Sequence, residues 1–314
     1  GYEKEEFWQP FIDQHPDTRV EYSFVADDAE SFAKAQNNND VDVMHPCANY
    51  FKLFVENGLV QPIDTSRLKY WDTIYPDLAE IGQVDGKQYF IPWDWGFEAL
   101  LVRTDKVQSV PQAWADLWNP EYKGHVSIID AGENAYMVAA LSEGLNPYDT
   151  TPEQDAEIKQ KLIDLKPNLI NYWSDPTEAG NMMANGDIWV LGNAWNESYV
   201  TLDREGLAVK YVMPKEKAIG WMCGYSISSK TQNLDLVYDF LNARMDPQSL
   251  ANMANDQAYG PASKEAVALM DPETVKLLNL DNPEVLNDIF FMRPLTEAQH
   301  QHFTDLWTEI KAAP

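Results

Sequence analysis

Basic residues are scarce in this chain. Its 314 residues include 23 Lys and Arg against 50 Asp and Glu, a formal charge of −27, so phosphate backbones and anionic membrane surfaces would be repelled and not gathered. Nucleic acid is not expected as a partner. The acidic residues are spread along the chain, which describes a solvated acidic surface and, more weakly, a field that favours cationic ligands. No apolar run approaches the roughly 18 residues of a membrane span. There are 2 cysteines, Cys47 and Cys223, without CxxC or Cys/His spacing, which argues against structural zinc. One long-range disulfide or two buried free thiols both fit that count, and the reading favours free thiols. His300 and His302 stand two apart on a helical pattern, face different ways and cannot share a metal. A Gly-rich phosphate loop, a GxSxG elbow and an HExxH pair are all missing, which removes the common dinucleotide-binding, kinase and hydrolase signatures. No enzyme activity, cofactor or metal is expected. The opening GYEKEEFWQPF shows no signal peptide and no strand before its first helix, and a leader or first strand is expected to have been removed.

Strand and helix signals alternate over most of the length, which predicts an α/β fold. The β-rich runs are VEYSFV (20–25), DVDVMH (40–45), YFIPW (89–93), EALLVR (98–103), HVSIID (125–130), DIWVLG (187–192), LAVKYVM (207–213) and CGYSIS (223–228). Amphipathic helices are expected over 27–38, 133–144, 151–167, 234–245 and 296–313. The third has a well-marked start: Thr151 as a possible N-cap, Pro152 at the first helical position and Gln154 in the capping-box place.

Tryptophan is plentiful, with 11 in the chain. Trp93 and Trp95 flank Asp94 after an apolar run, Trp195 follows DIWVLG, and Trp221 precedes CGYSIS. Strand ends in α/β sheets are where ligand crevices form. Any one of these rings is explained by core packing, but as a set with polar neighbours they describe an aromatic site for a cation. Asp94, Asp130, Glu133 and Glu197 are candidate carboxylates to fix the charge; a solvated or helix-capping role is the alternative for each.

The string AWADLWNPEYKGHVSIID (113–130), with GLVQPID (58–64), DIWVLGNAWNESYV (187–200), VMPKEKAIGWMCGYSIS (212–228) and QAYGPAS (257–263), resembles the spermidine/putrescine-binding proteins of polyamine ABC importers. The resemblance covers nearly the whole chain. It implies a two-lobe periplasmic binding protein fold of type II, with a ligand cleft between lobes joined by crossing strands. Lobe 1 would take 1–101 and 226–268, and lobe 2 would take 102–225 and 269–314. One ring of the Trp93/Trp95 pair would then line the cleft while the other packs behind. It implies further that Trp195, Trp221 and Tyr259 sandwich the ligand, that Tyr2 lies near another aromatic position, and that Cys47 and Asn49 replace a small polar residue and an aromatic.

Two departures bear on the ligand. Cys223 stands where the family carries an aspartate for an ammonium, and the family's acidic pair maps only ambiguously onto Asp130, Ala131, Asn134 and Ala135, with Glu133 close by. An aromatic box with fewer acids suits a single cationic head, such as a betaine, dimethylsulfoniopropionate or 4-aminobutyrate, whose carboxylate would need donors from Asn49, Asn193, Asn196, Gln257 or Arg293. A polyamine remains open if the acids have moved, to Asp94 or Glu197 among others. The implied protein is a monomeric periplasmic component that closes by a hinge on a small cationic or zwitterionic ligand and docks on an ABC permease in the inner membrane. A chemoreceptor-linked sensor and a ferric-ion binder of the same fold are the alternatives.

Overall fold

The computed structural model describes residues 2–25, 27–37, 40–282 and 284–314. The chain divides into two compact units. The first holds Gly1–Gly96, Trp221–Pro283 and Met292–Thr296; the second holds Phe97–Gly220, Glu284–Phe291 and Glu297–Pro314. Two of the passages between units occur inside the long strands Ile91–Arg103 and Ala218–Ser228. The boundaries of the compact units therefore differ from the expected lobes, at 96 in place of 101 and 220 in place of 225, and both 269–282 and Met292–Thr296 belong to the first unit. A crossing inside a continuous buried strand leaves no break in apolar pattern to mark it.

In the first unit, the end of Ala218–Ser228 pairs antiparallel with Val43–Met44 and with Val60–Gln61. The short strand Gly260–Pro261 pairs antiparallel with Trp95 and Asp94. Gly224 permits the two long strands to approach: a Cβ there would fall 2.0 Å from the Ile91 carbonyl oxygen. Helix Ala48–Glu56 buries Phe51 and Phe54, and Phe51 stacks on Phe90 with ring centres 5.1 Å apart. Helix Pro247–Gln257 starts as its sequence dictates, with Asp246 accepting from the Gln248 and Ser249 amides and Pro247 in the first turn.

The second unit is built on Val126–Ile129, which runs parallel to Leu169–Trp173 and to Val190–Ala194. The far part of Ile91–Arg103 adds antiparallel pairings with Val190–Ala194 and Val209–Val212, while Ala218–Gly220 runs parallel to Ile289–Phe291. Helices Gly132–Ser142, Pro152–Leu165 and Glu297–Ala312 pack on one another. The capping box is present: Thr151 accepts from the Gln154 amide, and the Gln154 side chain accepts from the Thr151 amide at 2.9 Å.

Several expectations are corrected. Residues 20–25 form no strand, since they pair with no strand among the described residues. The runs 89–93 and 98–103 are not two strands; one strand of thirteen buried residues passes through both. The helix expected over 27–38 is Asp28–Asn37, and Asn38 lies outside the described residues. The cysteines are not free thiols. Cys47 and Cys223, 176 residues apart, form a disulfide across an isolated antiparallel bridge whose Cα atoms are 3.8 Å apart. Both belong to the first unit, so the bond does not tie one unit to the other. Among the described residues, no helix is long and apolar enough to cross a membrane.

Candidate functional site

The first unit gathers aromatic rings around one buried carboxylate. Asp94 is fully buried on the strand Ile91–Arg103. Its Oδ2 accepts the Tyr2 hydroxyl at 2.5 Å, and its Oδ1 has no hydrogen-bond partner among the described residues. Burial, with Asp94 next, holds the Tyr2 phenol far above its ordinary range, so it remains a donor. The His45 Nε2 lies 3.5 Å from Asp94 Oδ1 and is itself buried without a hydrogen bond. The rings of Tyr2, Trp93 and Tyr225 surround the His45 imidazole at centroid distances of 5.1, 5.6 and 4.8 Å. Arg244 completes the group from the end of helix Leu234–Arg244: its guanidinium lies 4.2 Å from the Trp93 ring centre and donates to the Tyr225 hydroxyl and the Tyr2 carbonyl.

Trp221 and Tyr259 form a second aromatic pair in this unit, edge to face at 4.7 Å and both half-buried. Local backbone explains their meeting. Helix Pro247–Gln257 ends on Ala258 in the left-handed conformation, which turns the chain at Tyr259. Gly96 leaves room for the Trp221 ring, since a Cβ there would sit 2.4 Å from it. Trp221 lies within its strand and not before it.

The second unit holds a carboxylate that sequence reasoning misses. Glu98 is 2% exposed. The Asn134 and Asn193 amides donate to its two oxygens at 2.7 and 2.8 Å. Burial pushes its carboxyl up to about 7, against the pull of Asn193, Trp195 and Asn134 and with a push from Glu133. The Trp195 indole N–H favours the charged form from nearby without closing a hydrogen bond. Asn193 holds a left-handed φ of 54° while buried, a strained position that costs energy unless its surroundings demand it. With its amide nitrogen on Glu98, the Asn193 Oδ1 is left without a partner, as is the buried Oδ1 of Asn196. These two residues, expected as donors to a ligand carboxylate, thus present acceptors.

The other candidates fall into place around these groups. Glu133 is buried and accepts the Tyr148 hydroxyl at 2.6 Å. Trp195 is half-buried at the N-cap of helix Asn196–Arg204, its ring edge-on to Trp173 at 5.5 Å. Asp130 is committed elsewhere: it takes the Trp307 indole N–H and the Lys311 ammonium, both at 2.7 Å. Burial raises its carboxyl, but those two donors bring it below the usual carboxylate range. Glu197 is exposed in the first turn of its helix. Trp93 and Trp95 are both fully buried, their indole N–H groups spent on the Arg244 and Pro261 carbonyls, so the split of roles expected for that pair is not seen. The carbonyl of Asn49 accepts the Leu295 amide at 3.1 Å. Cys47 and Cys223 are spent on each other. The signal that marks Glu98 is an acid inside the otherwise apolar run FEALLV.

Residues 7–283 match the family model described as bacterial extracellular solute-binding protein. The chain is 28% identical over 294 residues to the spermidine/putrescine-binding periplasmic protein of Escherichia coli (strain K12), an alignment covering 90% of this chain and 83% of that protein. The putrescine/cadaverine-binding protein of Pseudomonas aeruginosa is 24% identical, over 92% of this chain and 85% of its own length. Among solved structures, the spermidine/putrescine ABC transporter substrate-binding protein of Streptococcus pneumoniae, in complex with calcium and HEPES, superposes with a TM-score of 0.85 at 21% identity, covering 99% of this chain and 95% of that one. That superposition shows a shared α/β fold of the periplasmic substrate-binding type. With the family model spanning most of its length, the chain belongs to the bacterial extracellular solute-binding proteins.

Proposed function

We propose that this protein is the periplasmic substrate-binding component of an ABC importer, that it captures a small diamine or polyamine, and that it presents the loaded form to a membrane permease. The observation that carries the ligand class is a buried carboxylate in each unit, Asp94 in the first and Glu98 in the second. Each comes with an acceptor in want of a proton donor: Asp94's own Oδ1 in one, and in the other the amide oxygen of Asn193, whose nitrogen donates to Glu98. A primary ammonium offers three N–H donors, whereas a quaternary onium offers none. A ligand with a single cationic head, expected from the loss of an acid at Cys223, is less favoured by these two carboxylates. The names of the relatives support the same class.

In this reading Tyr2, Trp221 and Tyr259 supply aromatic faces in the first unit and Trp195 supplies one in the second. Each cation–π contact contributes roughly 0.5–2 kcal/mol. A hinge that brings both sets onto one ligand is favoured by contacts made only in the closed form. A zwitterion of the 4-aminobutyrate kind is the second reading, favoured by the unpartnered donor on Trp195 Nε1. A thermal-shift panel on ligand-stripped protein tests both, since ligand at about 100 times its dissociation constant adds roughly 2.7 kcal/mol. Putrescine and spermidine are expected to raise the melting temperature, and glycine betaine and dimethylsulfoniopropionate are not. A shift confined to 4-aminobutyrate would select the zwitterion; one confined to the methylated compounds would reject both.

A further inference from the structure

The pair His45 and Asp94 has a feature that ligand capture alone does not explain. Two buried polar atoms, the Nε2 of one and the Oδ1 of the other, face each other at 3.5 Å and make no hydrogen bond among the described residues. Leaving both unsatisfied is costly, so a proton and a small approach would relieve them together. His45 is also ringed by Tyr2, Trp93 and Tyr225, surroundings whose electron-rich faces favour a cation. We propose that His45 is an internal competitor for the cationic ligand: when protonated it pairs with Asp94 Oδ1 and places its charge beside the Tyr2 ring, which the proposed ligand site also uses, so that acidification weakens binding through this residue. The proposal rests on the cationic-ligand reading above, with Asp94 as the anchor of the first unit.

The groups around the imidazole set the balance. Asp94 comes from the strand Ile91–Arg103, and Tyr2 from the N-terminal segment. Asp28 comes from the start of helix Asp28–Asn37; its Oδ1 accepts the Cys47 amide at 3.1 Å, and burial pushes its carboxyl up to about 6. Tyr225 comes from the strand Ala218–Ser228. Arg244 is the opposing charge, held over Trp93 and Tyr225. The imidazole thus has two carboxyl groups and three aromatic rings about it, with one guanidinium nearby. A ligand ammonium would add a charge that disfavours the imidazolium, and by linkage the proton and the ligand must each oppose the other's binding.

The test follows the His45 ring proton by NMR from pH 8 to pH 5, in wild-type protein with and without saturating putrescine, and in Asp94→Asn. His45→Gln assigns the signal. The expected result is that putrescine and Asp94→Asn each move the His45 midpoint to lower pH. Calorimetry should show putrescine affinity falling with acidification by ~10-fold more in wild type than in His45→Gln, the size of a one-unit midpoint shift. Glu98 titrates within the same interval, so the difference between the two proteins decides, not the wild-type slope. A His45 midpoint indifferent to bound putrescine, or equal slopes in the two proteins, would overturn the competitor role. Failure of putrescine to bind at pH 8 would instead reject the cationic-ligand reading. The Asp94→Asn titration then judges the pair alone, which an unmoved midpoint would refute.

Discussion

Glu98 carries a charge cost that no neighbour fully offsets. Among the described residues it accepts two amide N–H groups but no cation, and burial lifts its carboxyl from an ordinary 4.5 to about 7. The folded state therefore holds this proton more tightly than the unfolded chain does. Its contribution to stability is complete below about pH 4.5 and is lost as pH rises through 7. Urea unfolding of wild type and Glu98→Gln at pH 4.5 and pH 8 should show wild type losing up to about 3 kcal/mol relative to the variant across that range. Asp28 has a shift of the same sign but is common to both proteins and cancels. If a diamine binds as proposed, with an ammonium on Glu98, it should restore much of the loss at pH 8; a difference that does not vary with pH would mean that Glu98 ionises without penalty.

Residue by residue, what is legible in the sequence depends on whether the environment is local. The aromatics Trp221 and Tyr259 are marked by resemblance, and the structure places them ring to edge. Glu98 escapes notice because its donors, Asn134 and Asn193, come from a helix and a strand end far along the chain. Asp130 stands out for its place at a strand end, but the helix Glu297–Ala312 reaches back to claim it. The cysteine pair misleads for the same reason: only the register of Cys47 against Cys223 makes the disulfide.

At the scale of elements, the structure depends on strands that touch where a side chain would not fit. Gly224→Ala would drive a methyl to 2.0 Å from the Ile91 carbonyl oxygen, and neither partner is a flexible side chain. Overpacking of this kind costs typically ~1–3 kcal/mol. Gly180 is the control: it sits inside helix Pro176–Asn185, and a methyl placed on it would meet nothing within 4 Å, so Gly180→Ala should stabilise by roughly 0.5–1 kcal/mol. Urea midpoints that fall for Gly224→Ala and rise for Gly180→Ala are expected; equal effects would contradict the close approach of the long strands. Helices are legible here because caps and amphipathic faces are local: Pro152–Leu165 begins at its predicted capping box, and Leu234–Arg244 and Glu297–Ala312 lie within a residue or two of their expected ends. Ile91–Arg103 is not, since all thirteen of its residues are buried and a strand covered on both faces loses the alternation that would reveal it.

For the whole molecule, the α/β class follows from the alternation of signals, while the division into units does not, because the chain changes unit inside continuous strands at Gly96 and Gly220. The placement of acids follows that division. The strand Ile91–Arg103 begins in one unit and ends in the other, and contributes Asp94 to the first and Glu98 to the second. If each serves one end of a diamine, a ligand with only one ammonium loses an anchor and a charge-assisted hydrogen bond of about 1.5–3 kcal/mol. Isothermal titration calorimetry at pH 8 with putrescine and with butylamine, which has the same carbon chain and a single ammonium, measures that loss directly. The account predicts putrescine binding at least ~10-fold more tightly; equal affinity for the two would contradict it.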